Sequence, residues 1–370
     1  MKILTLTGTR PELIRLSLII KKLDDLVDHI LVYTNQNYDK NLSTIFFDDL
    51  GIRKPNYYFD FKFNSVGGFL GTAIMEFENI LKEEKPDKIL ILGDTNSGLL
   101  SIISEKYKIT VYHMEAGNRC YDNRVPEETN RRIIDTVSTY NLPYTENSKQ
   151  NLIKEGYHKN FVFKIGNPIF EVLNYYDNQI EESTVLKKLN LLNNNFIEHL
   201  PLMNHMVKEY VLVTSHRSEN VDDEKNLIGI IHALSTISEQ YTVIYPVHPR
   251  TRNKLDNINI PIPNNLKLIE PLGFFDFVKL EKNAICIITD SGTVQEEACI
   301  FGIPSITIRE STERHETIEC GSSILSGINK DAIIESFNIM MNRNNKWIAP
   351  SDYLVENVSD IVINVLIGKK

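Results

Sequence analysis

Short apolar runs alternate with longer amphipathic segments along the first part of the chain. The runs are nearly continuous in apolar residues, as in strands whose two faces are both covered, and the longer segments have the spacing of helices with one apolar side. Strands alternating with helices predict βαβ units and a parallel sheet. The predicted strands are Lys2–Thr7, His29–Thr34, Lys88–Leu92 and Thr110–Met114, and the predicted helices are Pro11–Leu23, Gly67–Glu84 and Asn96–Tyr107.

A second series of the same kind begins near Tyr210. Its predicted strands are Tyr210–Thr214, Thr242–Pro246, Leu266–Ile269, Ile285–Thr289 and Ser305–Ile308, and its predicted helices are Leu227–Ser238, Phe274–Lys282, Thr293–Phe301 and Lys330–Met341. Between the two series, the Asn-rich stretch Leu189–Lys208 predicts an irregular surface segment. The apolar stretch Val355–Ile367 predicts a last helix.

The two series predict an α/β protein with two Rossmann-like, doubly wound domains that face a cleft. The length of 370 residues fits two domains at about 100–200 residues each. We expect an N-terminal domain over residues 1–167, onto which a C-terminal helix within 352–370 packs back, and a second domain over 168–351. Since open α/β sheets bind ligands at the carboxyl ends of their strands, the candidate site residues are those that follow the strands.

Composition and charge narrow the class of protein. Hydrophobic residues make up 42% and charged residues 24% of the chain, which is ordinary globular usage and excludes disordered, collagen-like and coiled-coil chains. The net charge is −9, with 40 Lys and Arg against 49 Asp and Glu, so we expect neither a general nucleic-acid binder nor a binder of anionic membranes. No apolar run approaches the ~18 residues of a membrane span. The first residues lack a signal-peptide pattern, and we expect a cytoplasmic protein.

The four cysteines, Cys120, Cys286, Cys299 and Cys320, show neither CxxC pairing nor zinc spacing. A disulfide framework is not expected in a chain of this length. We therefore predict buried structural thiols and no metal site.

The turn after the first strand combines a glycine, a proline and two arginines. Gly8 allows a tight turn and Pro11 suits the first turn of a helix, while Arg10 and Arg15 lie at either end of that turn. A helix N-terminus flanked by guanidinium groups can hold an anion; the alternative is an ordinary turn with surface arginines. The segment is not GxGxxG, so it gives no support for nicotinamide or flavin binding.

Acidic residues follow the next strands. Asp94 comes one residue after a predicted strand, Glu115 directly follows the next one, and Glu127 with Glu128 opens a helix farther on. Carboxylates brought together at one sheet edge can donate and accept protons. The alternatives are that Asp94 caps the next helix and that the paired glutamates face the dipole of theirs.

The second half carries a histidine in a comparable place. His216 lies just past a predicted strand, after Ser215, and has Arg217, Glu219 and Asn220 near it. A histidine there can donate to a phosphate or titrate, although a lone histidine is more often structural. His113, by contrast, lies inside a strand and is predicted to be a core residue.

The segment Ile287–Ala298 combines a strand, a small-residue turn and a helix. The amides of Ser291 to Thr293 are predicted to cradle a diphosphate at the helix N-terminus, and a carboxylate one turn into the helix to accept from ribose hydroxyls. The alternative is a Ser-capped surface helix. The charged loop Arg309–Glu316 is either functional or a solvated cluster.

Eight motifs occur in one order along the chain: GTRPE, GDT, HMEAGNR, PEExNR, SHRSEN, HP, DSGxxQEEA and TERxE. Together they resemble the non-hydrolysing UDP-N-acetylhexosamine 2-epimerases over almost the whole length. This resemblance implies two Rossmann-like domains of the GT-B type shared with many glycosyltransferases, usually as a homodimer. It also implies a UDP-sugar substrate and catalysis that needs no metal or nicotinamide cofactor.

The resemblance further implies a reaction and its residues. A base removes the proton at C2 while UDP leaves C1, which gives a 2-acetamidoglycal; protonation at the opposite face and return of UDP complete the inversion. By motif, Asp94, Glu115 and Glu127 match the family's acid–base carboxylates, His216 its essential histidine and Arg131 the arginine after the paired glutamates. The family's UDP-binding positions are matched by Arg10, Arg15, His216, Ser291, Gly292, Thr293, Glu297 and Arg314, and Phe277 matches a residue that packs on uracil.

Several positions depart from members that act on UDP-GlcNAc. Those members commonly have Lys at position 15, GLRT where this chain has Gly117–Cys120, DSGG instead of DSGT, and ERPE instead of ERHE. They also often have GQH where this chain has Asn35–Asn37. That segment belongs to the family's allosteric UDP-GlcNAc site, so we do not expect such activation here.

The strings TNQNYD, GDTNS, HMEAGNRCYDNRVPEE and PLGFFDF resemble one branch more closely. Its members convert UDP-2-acetamido-2,6-dideoxy-L-talose at C2 in the synthesis of UDP-N-acetyl-L-fucosamine, which feeds capsule or O-antigen polysaccharide. UDP-GlcNAc and UDP-ManNAc remain the alternative substrates. A glycosyltransferase of the same fold or a non-catalytic nucleotide-sugar binding protein has no use for three carboxylates, so we favour an epimerase.

Overall fold

The computed structural model describes residues 1–35, 46–61, 63, 65–193 and 206–368. These residues form two compact units, Met1–Asn174 with Ser351–Lys370 (unit 1) and Tyr175–Pro350 (unit 2). Each unit is a parallel sheet with helices between its strands, so the predicted α/β class is confirmed. The predicted domains over residues 1–167 and 168–351 stay a prediction.

Unit 1 is built on one parallel sheet. Its strands are β1 (Lys2–Thr7), β2 (Asp28–Tyr33), β3 (Tyr57–Tyr58), β4 (Lys88–Leu92), β5 (Thr110–Met114) and β6 (Tyr140–Leu142), in the order β3-β2-β1-β4-β5-β6. Its helices are Arg10–Leu26, Val66–Glu84, Ser101–Lys106, Pro126–Val137, Glu146–Lys154, Ile169–Tyr175 at the passage to unit 2, and Val358–Ile367. A short helical segment covers 46–49, and 3₁₀ turns cover Gly98–Leu100, Lys159–Phe161 and Ser351–Tyr353.

Unit 2 repeats this plan. Its strands are β7 (Tyr210–Thr214), β8 (Thr242–Pro246), β9 (Leu266–Ile269), β10 (Cys286–Thr289), β11 (Ser305–Thr307) and β12 (Ser323–Leu325), in the order β12-β11-β10-β7-β8-β9. Its helices are Asp177–Glu181, Val185–Lys188, Ser218–Val221, Glu224–Ile237, Pro249–Ile258, Phe274–Asn283, Gly292–Phe301, His315–Glu319 and Lys330–Asn342.

Each sheet has one place where the strand order reverses, between β1 and β4 in unit 1 and between β7 and β10 in unit 2. Open α/β sheets bind ligands at such switch points. In unit 1 the turns at this point approach closely, because a Cβ on Gly8 would lie 2.1 Å from Ser97 Oγ and 2.4 Å from Thr34 Oγ1. Only glycine fits there.

The predicted helix Asn96–Tyr107 is wrong as a single element. The structure has the 3₁₀ turn Gly98–Leu100 followed by the short helix Ser101–Lys106. Ser101 Oγ donates to the carbonyl of Gly98 at 2.6 Å, and side-chain bonds of this kind compete with regular helix formation.

The prediction that Leu189–Lys208 is a surface segment is wrong at its two described ends; residues 194–205 lie outside the described residues. Leu191 and Val207 are buried and belong to an apolar cluster under the sheet of unit 2. The polar composition of this segment predicted that it is exposed to solvent, but the apolar side chains at its two described ends pack on the sheet of unit 2.

The C-terminal helix Val358–Ile367 belongs to unit 1. Val358, Val362 and Leu366 are fully buried, and the helix contacts the helix Arg10–Leu26. Among the described residues, no helix combines the length and the apolar character needed to cross a bilayer.

All four cysteines are thiols. Cys286 and Cys299 are buried as predicted, whereas Cys120 and Cys320 are only half-buried. Cys120 lies in the irregular segment after Arg119, and Cys320 lies in the turn after the helix His315–Glu319. The prediction of buried thiols is therefore wrong for those two.

Candidate functional site

Asp94 and Arg131 form the first part of the site in unit 1. Asp94 follows β4 and is half-buried, and the Arg131 guanidinium, which is 1% exposed, donates to its carboxylate. The same guanidinium donates to the carbonyl of Asn118 at 2.9 Å and to Glu128 at 3.1 Å. Arg131 is thus a buried cation with three oxygen partners, and a nearby cation favours the ionised form of a carboxylate.

Glu115 lies at the end of the neighbouring strand β5. Its carboxylate pairs with Arg15 at 2.7 Å, and both side chains are buried. A Cβ on Gly93 would lie 3.9 Å from Glu115 Oε2, so this carboxylate faces the turn that precedes Asp94. Two of the predicted carboxylates therefore lie at one sheet edge, each with its own arginine.

The paired glutamates take different positions. Glu127 lies in the first turn of the helix Pro126–Val137 and is half-buried, while Glu128 is fully buried. Glu128 accepts from the Cys120 amide at 3.0 Å and pairs with Arg131 and Arg132. Burial opposes ionisation of Glu128, but the Cys120 amide and Arg131 hold its pKa below the ordinary value. Sequence analysis named Glu128 only as one of the paired glutamates and overlooked its ion pairs with Arg131 and Arg132, although the i,i+3 and i,i+4 spacing was visible.

The turn after β1 differs from the predicted anion site in one respect. Glu12 accepts from the amides of Gly8 and Thr9 at 2.6 and 3.3 Å and from the Thr7 hydroxyl at 3.1 Å. The Gly8 and Thr9 amides are therefore engaged within the chain and are not available to hold an anion. Burial raises the pKa of Glu12 to about 7, with the Gly8 amide opposing the shift.

The two arginines of that turn have separate surroundings. Arg10 is half-buried, with its guanidinium 5.3 Å from the ring centre of Phe46. Arg15 is buried against Glu115 and lies 5.6 Å from the ring centre of Tyr144. The alternative of a surface arginine is therefore wrong for Arg15.

Asp290 organises the corresponding edge of unit 2. It is fully buried after β10 and accepts from the Ser215 hydroxyl, the His216 and Arg217 amides and the Asn220 side chain at 2.9–3.0 Å. The His216 ring is 62% exposed, with Nδ1 3.2 Å from Asp290 Oδ1. Sequence analysis did not assign a role to Asp290, although it follows its strand as Asp94 follows β4.

Gly292 and Thr293 begin the helix Gly292–Phe301, where the first backbone donors have no carbonyl partner within the helix. The Ser291 amide instead donates to Thr289 Oγ1 at 2.9 Å, so it is engaged within unit 2. A Cβ on Gly292 would lie 3.4 Å from Arg314 Cζ. The buried Arg314 guanidinium is thus placed at this helix N-terminus.

The other predicted residues of unit 2 lie around that helix. Arg314 pairs with Glu296 at 2.5 Å, a contact that sequence analysis overlooked. Glu297 is buried, and Phe277 is half-buried against the apolar cluster under the sheet. Within the described ranges, no group of three or more His, Cys, Asp or Glu side chains is arranged to hold a metal ion.

Comparison with known proteins decides the family. The family model described as UDP-N-acetylglucosamine 2-epimerase matches residues 21–367. The chain belongs to this family. The UDP-N-acetylglucosamine 2-epimerase of Methanocaldococcus jannaschii is 39% identical over 361 residues, which cover 95% of each chain. The UDP-2,3-diacetamido-2,3-dideoxy-D-glucuronate 2-epimerase of Pseudomonas aeruginosa is 34% identical over 340 residues, which cover 91% of each.

Solved structures agree with the family assignment. The M. jannaschii UDP-GlcNAc 2-epimerase in complex with UDP-GlcNAc and UDP has a TM-score of 0.89 and 36% identity, covering 99% of each chain. The Neisseria meningitidis enzyme bound to UDP-GlcNAc has a TM-score of 0.87 and 28% identity, covering 99% of this chain and all of that one. This chain is therefore an isomerase of the UDP-sugar 2-epimerase family with the two-domain α/β fold of these structures.

Proposed function

We propose that this chain inverts C2 of UDP-2-acetamido-2,6-dideoxy-L-talose to give UDP-N-acetyl-L-fucosamine. The reaction rests on one observation above all, the two acid–arginine pairs Asp94–Arg131 and Glu115–Arg15 at adjacent strand ends. An arginine neighbour keeps a carboxylate ionised at neutral pH, and an ionised carboxylate is what removal of a weakly acidic C2 proton requires.

The reaction proceeds by elimination and re-addition. One carboxylate takes the C2 proton as the C1–oxygen bond to UDP breaks and a C1–C2 double bond forms. An acid on the opposite face of the ring then returns a proton to C2, and UDP adds again at C1. Asp94, Glu115 and Glu127 are the proposed acids and bases, and Arg131 holds Asp94 in position.

Unit 2 is proposed to hold UDP. The helix N-terminus at Gly292 and Thr293, with Arg314 beside it, supplies donors for the diphosphate. His216 is exposed for a further phosphate contact. We assign Glu297 to the ribose hydroxyls and Phe277 to the uracil. The amides of the helix N-terminus, Arg314 and His216 together stabilise the negative charge that develops on the departing diphosphate.

The choice of sugar rests on the segment 118–125, which joins Glu115 to the helix that carries Glu127. It includes Tyr121, whose side chain is 63% exposed and whose ring centre lies 5.8 Å from the Arg132 guanidinium. A 6-deoxy-L-sugar presents a methyl group where UDP-GlcNAc presents a hydroxymethyl group, and an aromatic side chain suits the methyl group.

A substrate comparison tests this choice. The purified protein is given UDP-2-acetamido-2,6-dideoxy-L-talose, UDP-GlcNAc and UDP-ManNAc in parallel, and C2 inversion is followed by NMR. We expect kcat/KM for the L-talo sugar to be at least about 10-fold higher, the scale on which one group in a pocket discriminates. Equal or higher values for UDP-GlcNAc would favour the second candidate, which the solved relative in complex with UDP-GlcNAc supports.

We further propose a cytoplasmic homodimer whose product enters capsule or O-antigen polysaccharide. These proposals are supported by the resemblance described above. Sedimentation of the purified protein tests the oligomeric state, and a single species of monomer mass would contradict it.

A further inference from the structure

A buried polar cluster lies directly behind the two acid–arginine pairs of unit 1. It consists of His113 on β5, Asp135 on the helix Pro126–Val137, and Arg119, and each is at most 1% exposed. Arg119 donates to Asp135 at 2.7 Å and pairs on its other side with Glu155. The reaction proposed above uses none of these four side chains.

The His113 ring is placed between two oxygen acceptors. Its Nδ1 lies 2.8 Å from Asp135 Oδ1, and its Nε2 lies 2.8 Å from the carbonyl oxygen of Gly93. A carbonyl oxygen can only accept, and an ionised carboxylate can only accept. The Nε2–H therefore donates to the Gly93 carbonyl, and Nδ1 shares a hydrogen bond with the Asp135 carboxyl group.

Asp135 is ionised in this arrangement. Burial opposes its charge, but the hydrogen bond from His113 and the charge of Arg119 keep the pKa of Asp135 below its ordinary value. The other charged or titratable groups at this cluster are Glu155, which faces Arg119, and the Tyr157 hydroxyl, which bonds Thr136 at 3.0 Å.

The cluster is bonded to the turns that carry both carboxylates. His113 binds the carbonyl of Gly93, the residue before Asp94. Asp135 Oδ2 accepts from the amide of Gly117 at 3.3 Å, two residues after Glu115.

The turn that begins at Glu115 has a strained backbone, which the surrounding structure must stabilise. Glu115 has a φ of +66°, a region that non-glycine residues seldom occupy and that costs about 1–3 kcal/mol. Gly93 and Gly117 both have a φ of +79°. Burying ions costs desolvation free energy that ion pairing seldom offsets completely. The cluster is therefore better explained by the fixing of two turns than by a contribution to the stability of the fold.

We propose that His113 and Asp135 are positioning residues, which hold the turns of Asp94 and Glu115 through their hydrogen bonds to the Gly93 carbonyl and the Gly117 amide. This inference rests on the proposed function for the roles of the two carboxylates. It predicts that loss of the pair slows the proton transfer at C2 while substrate binding remains.

The first test needs no substrate. NMR of the full chain with ¹⁵N-labelled histidine should show a proton on Nε2 of His113 that is protected from exchange by its hydrogen bond to the Gly93 carbonyl; His113→Gln identifies the signal. In Asp135→Asn this proton and the Gly117 amide should both exchange faster with solvent. An unprotected Nε2 proton in the unsubstituted protein, or unchanged exchange in Asp135→Asn, would overturn the proposal.

The second test separates positioning from general stability. Asp135→Asn and His113→Gln should each lower kcat for C2 inversion about 10²-fold, the cost of a misplacement near 1 Å, with KM changed less than about threefold. Glu155→Gln, which removes the other carboxylate on Arg119, should keep kcat within about twofold.

An equal loss of kcat in Glu155→Gln, or a rise in KM with kcat unchanged, would contradict the positioning role. If the unsubstituted protein inverts none of the UDP-sugars, the proposed function fails. The protection of the His113 Nε2 proton and of the Gly117 amide then still decides whether the pair holds these turns.

Discussion

Asp94 carries the proposed chemistry most directly, because it pairs with a buried arginine at the end of a central strand. Asp94→Asn removes the charge and keeps the size. We expect kcat to fall at least about 10²-fold, the usual share of a general base, while UDP affinity measured by calorimetry changes less than about threefold. Arg131 keeps Glu128 and the Asn118 carbonyl as partners in this variant.

The matched control is Asp25→Asn, a substitution at an exposed position, which should leave both quantities unchanged. Full turnover in Asp94→Asn would remove this carboxylate from the reaction.

Glu281 is a buried acid in unit 2 whose titration affects how the free energy of unfolding depends on pH. It is fully buried in the helix Phe274–Asn283, and burial, followed by the charge of Glu297, raises its pKa well above the ordinary value. The folded protein therefore binds this proton more tightly than the unfolded chain does. Its stabilising contribution is complete below the unfolded pKa and is lost as the pH rises through the folded pKa.

We expect the free energy of unfolding to fall less steeply in Glu281→Gln than in the unsubstituted protein between about pH 5 and about pH 8. Urea titrations at several pH values measure this slope. Glu182→Gln, at an exposed position, is the control. Comparing slopes cancels the contribution of Glu12, whose pKa is also raised. Identical slopes in all three proteins would show that Glu281 does not titrate as described.

Single residues were predictable where their place after a strand decided their surroundings. Asp94 and Glu115 were found in this way, and the structure puts both at one sheet edge. Asp290 was overlooked because its partners include the backbone amides of His216 and Arg217, in a turn remote in sequence. The arginine partners of Glu128 were visible from their spacing, but its bond to the Cys120 amide was not. Which amides meet a given carboxylate depends on the tertiary fold, and no local pattern contains it.

The turn Glu115–Gly117 is the element on which the proposed site depends. Gly117 has a φ of +79°, and a Cβ there would lie 2.3 Å from the carbonyl oxygen of Ser148. We expect Gly117→Ala to lower the free energy of unfolding by about 2 kcal/mol or more, through strain and this clash.

Gly71→Ala is the matched control, because a Cβ on Gly71 meets nothing within 4 Å inside the helix Val66–Glu84. It should raise stability by about 0.5–1 kcal/mol. Urea denaturation measures both variants, and an unchanged or higher stability in Gly117→Ala would contradict the described turn.

Most strands were predictable from their apolar runs. Strands β1, β4, β5, β7, β8 and β9 have the predicted bounds, and they include β9, most of which is only half-buried. Strands β3, β6 and β12 were missed, since they contain only two or three residues, and an apolar period cannot show in so short a run. Their pairing is imposed by the neighbouring strand.

Unit 1 is assembled from both ends of the chain. The helix Val358–Ile367 packs on the helix Arg10–Leu26, and Leu366 is fully buried. We expect Leu366→Ala to lower the free energy of unfolding by about 2–5 kcal/mol, as large-to-small changes in cores do. Asn364→Ala, at an exposed position on the same helix, should stay within about 0.5 kcal/mol. Equal effects in denaturant titrations would contradict the packing of this helix.

The whole chain could be assigned to its family from the order of its motifs. Several of these motifs lie at strand ends, which the fold brings to two sheet edges. The sugar could not be derived in the same way. Relatives of this chain include epimerases named for UDP-GlcNAc and for a diacetamido-glucuronate sugar, and selection among such sugars depends on side-chain placement around the ring.

The most direct measurement of the central claim is the fate of the hydrogen at C2. The protein is incubated with the L-talo UDP-sugar in deuterated water, and the recovered UDP-sugars are examined by NMR and mass spectrometry. Elimination and re-addition predict deuterium at C2 of the inverted product. An inverted product without deuterium at C2, or no inversion of any UDP-sugar offered, would contradict the account.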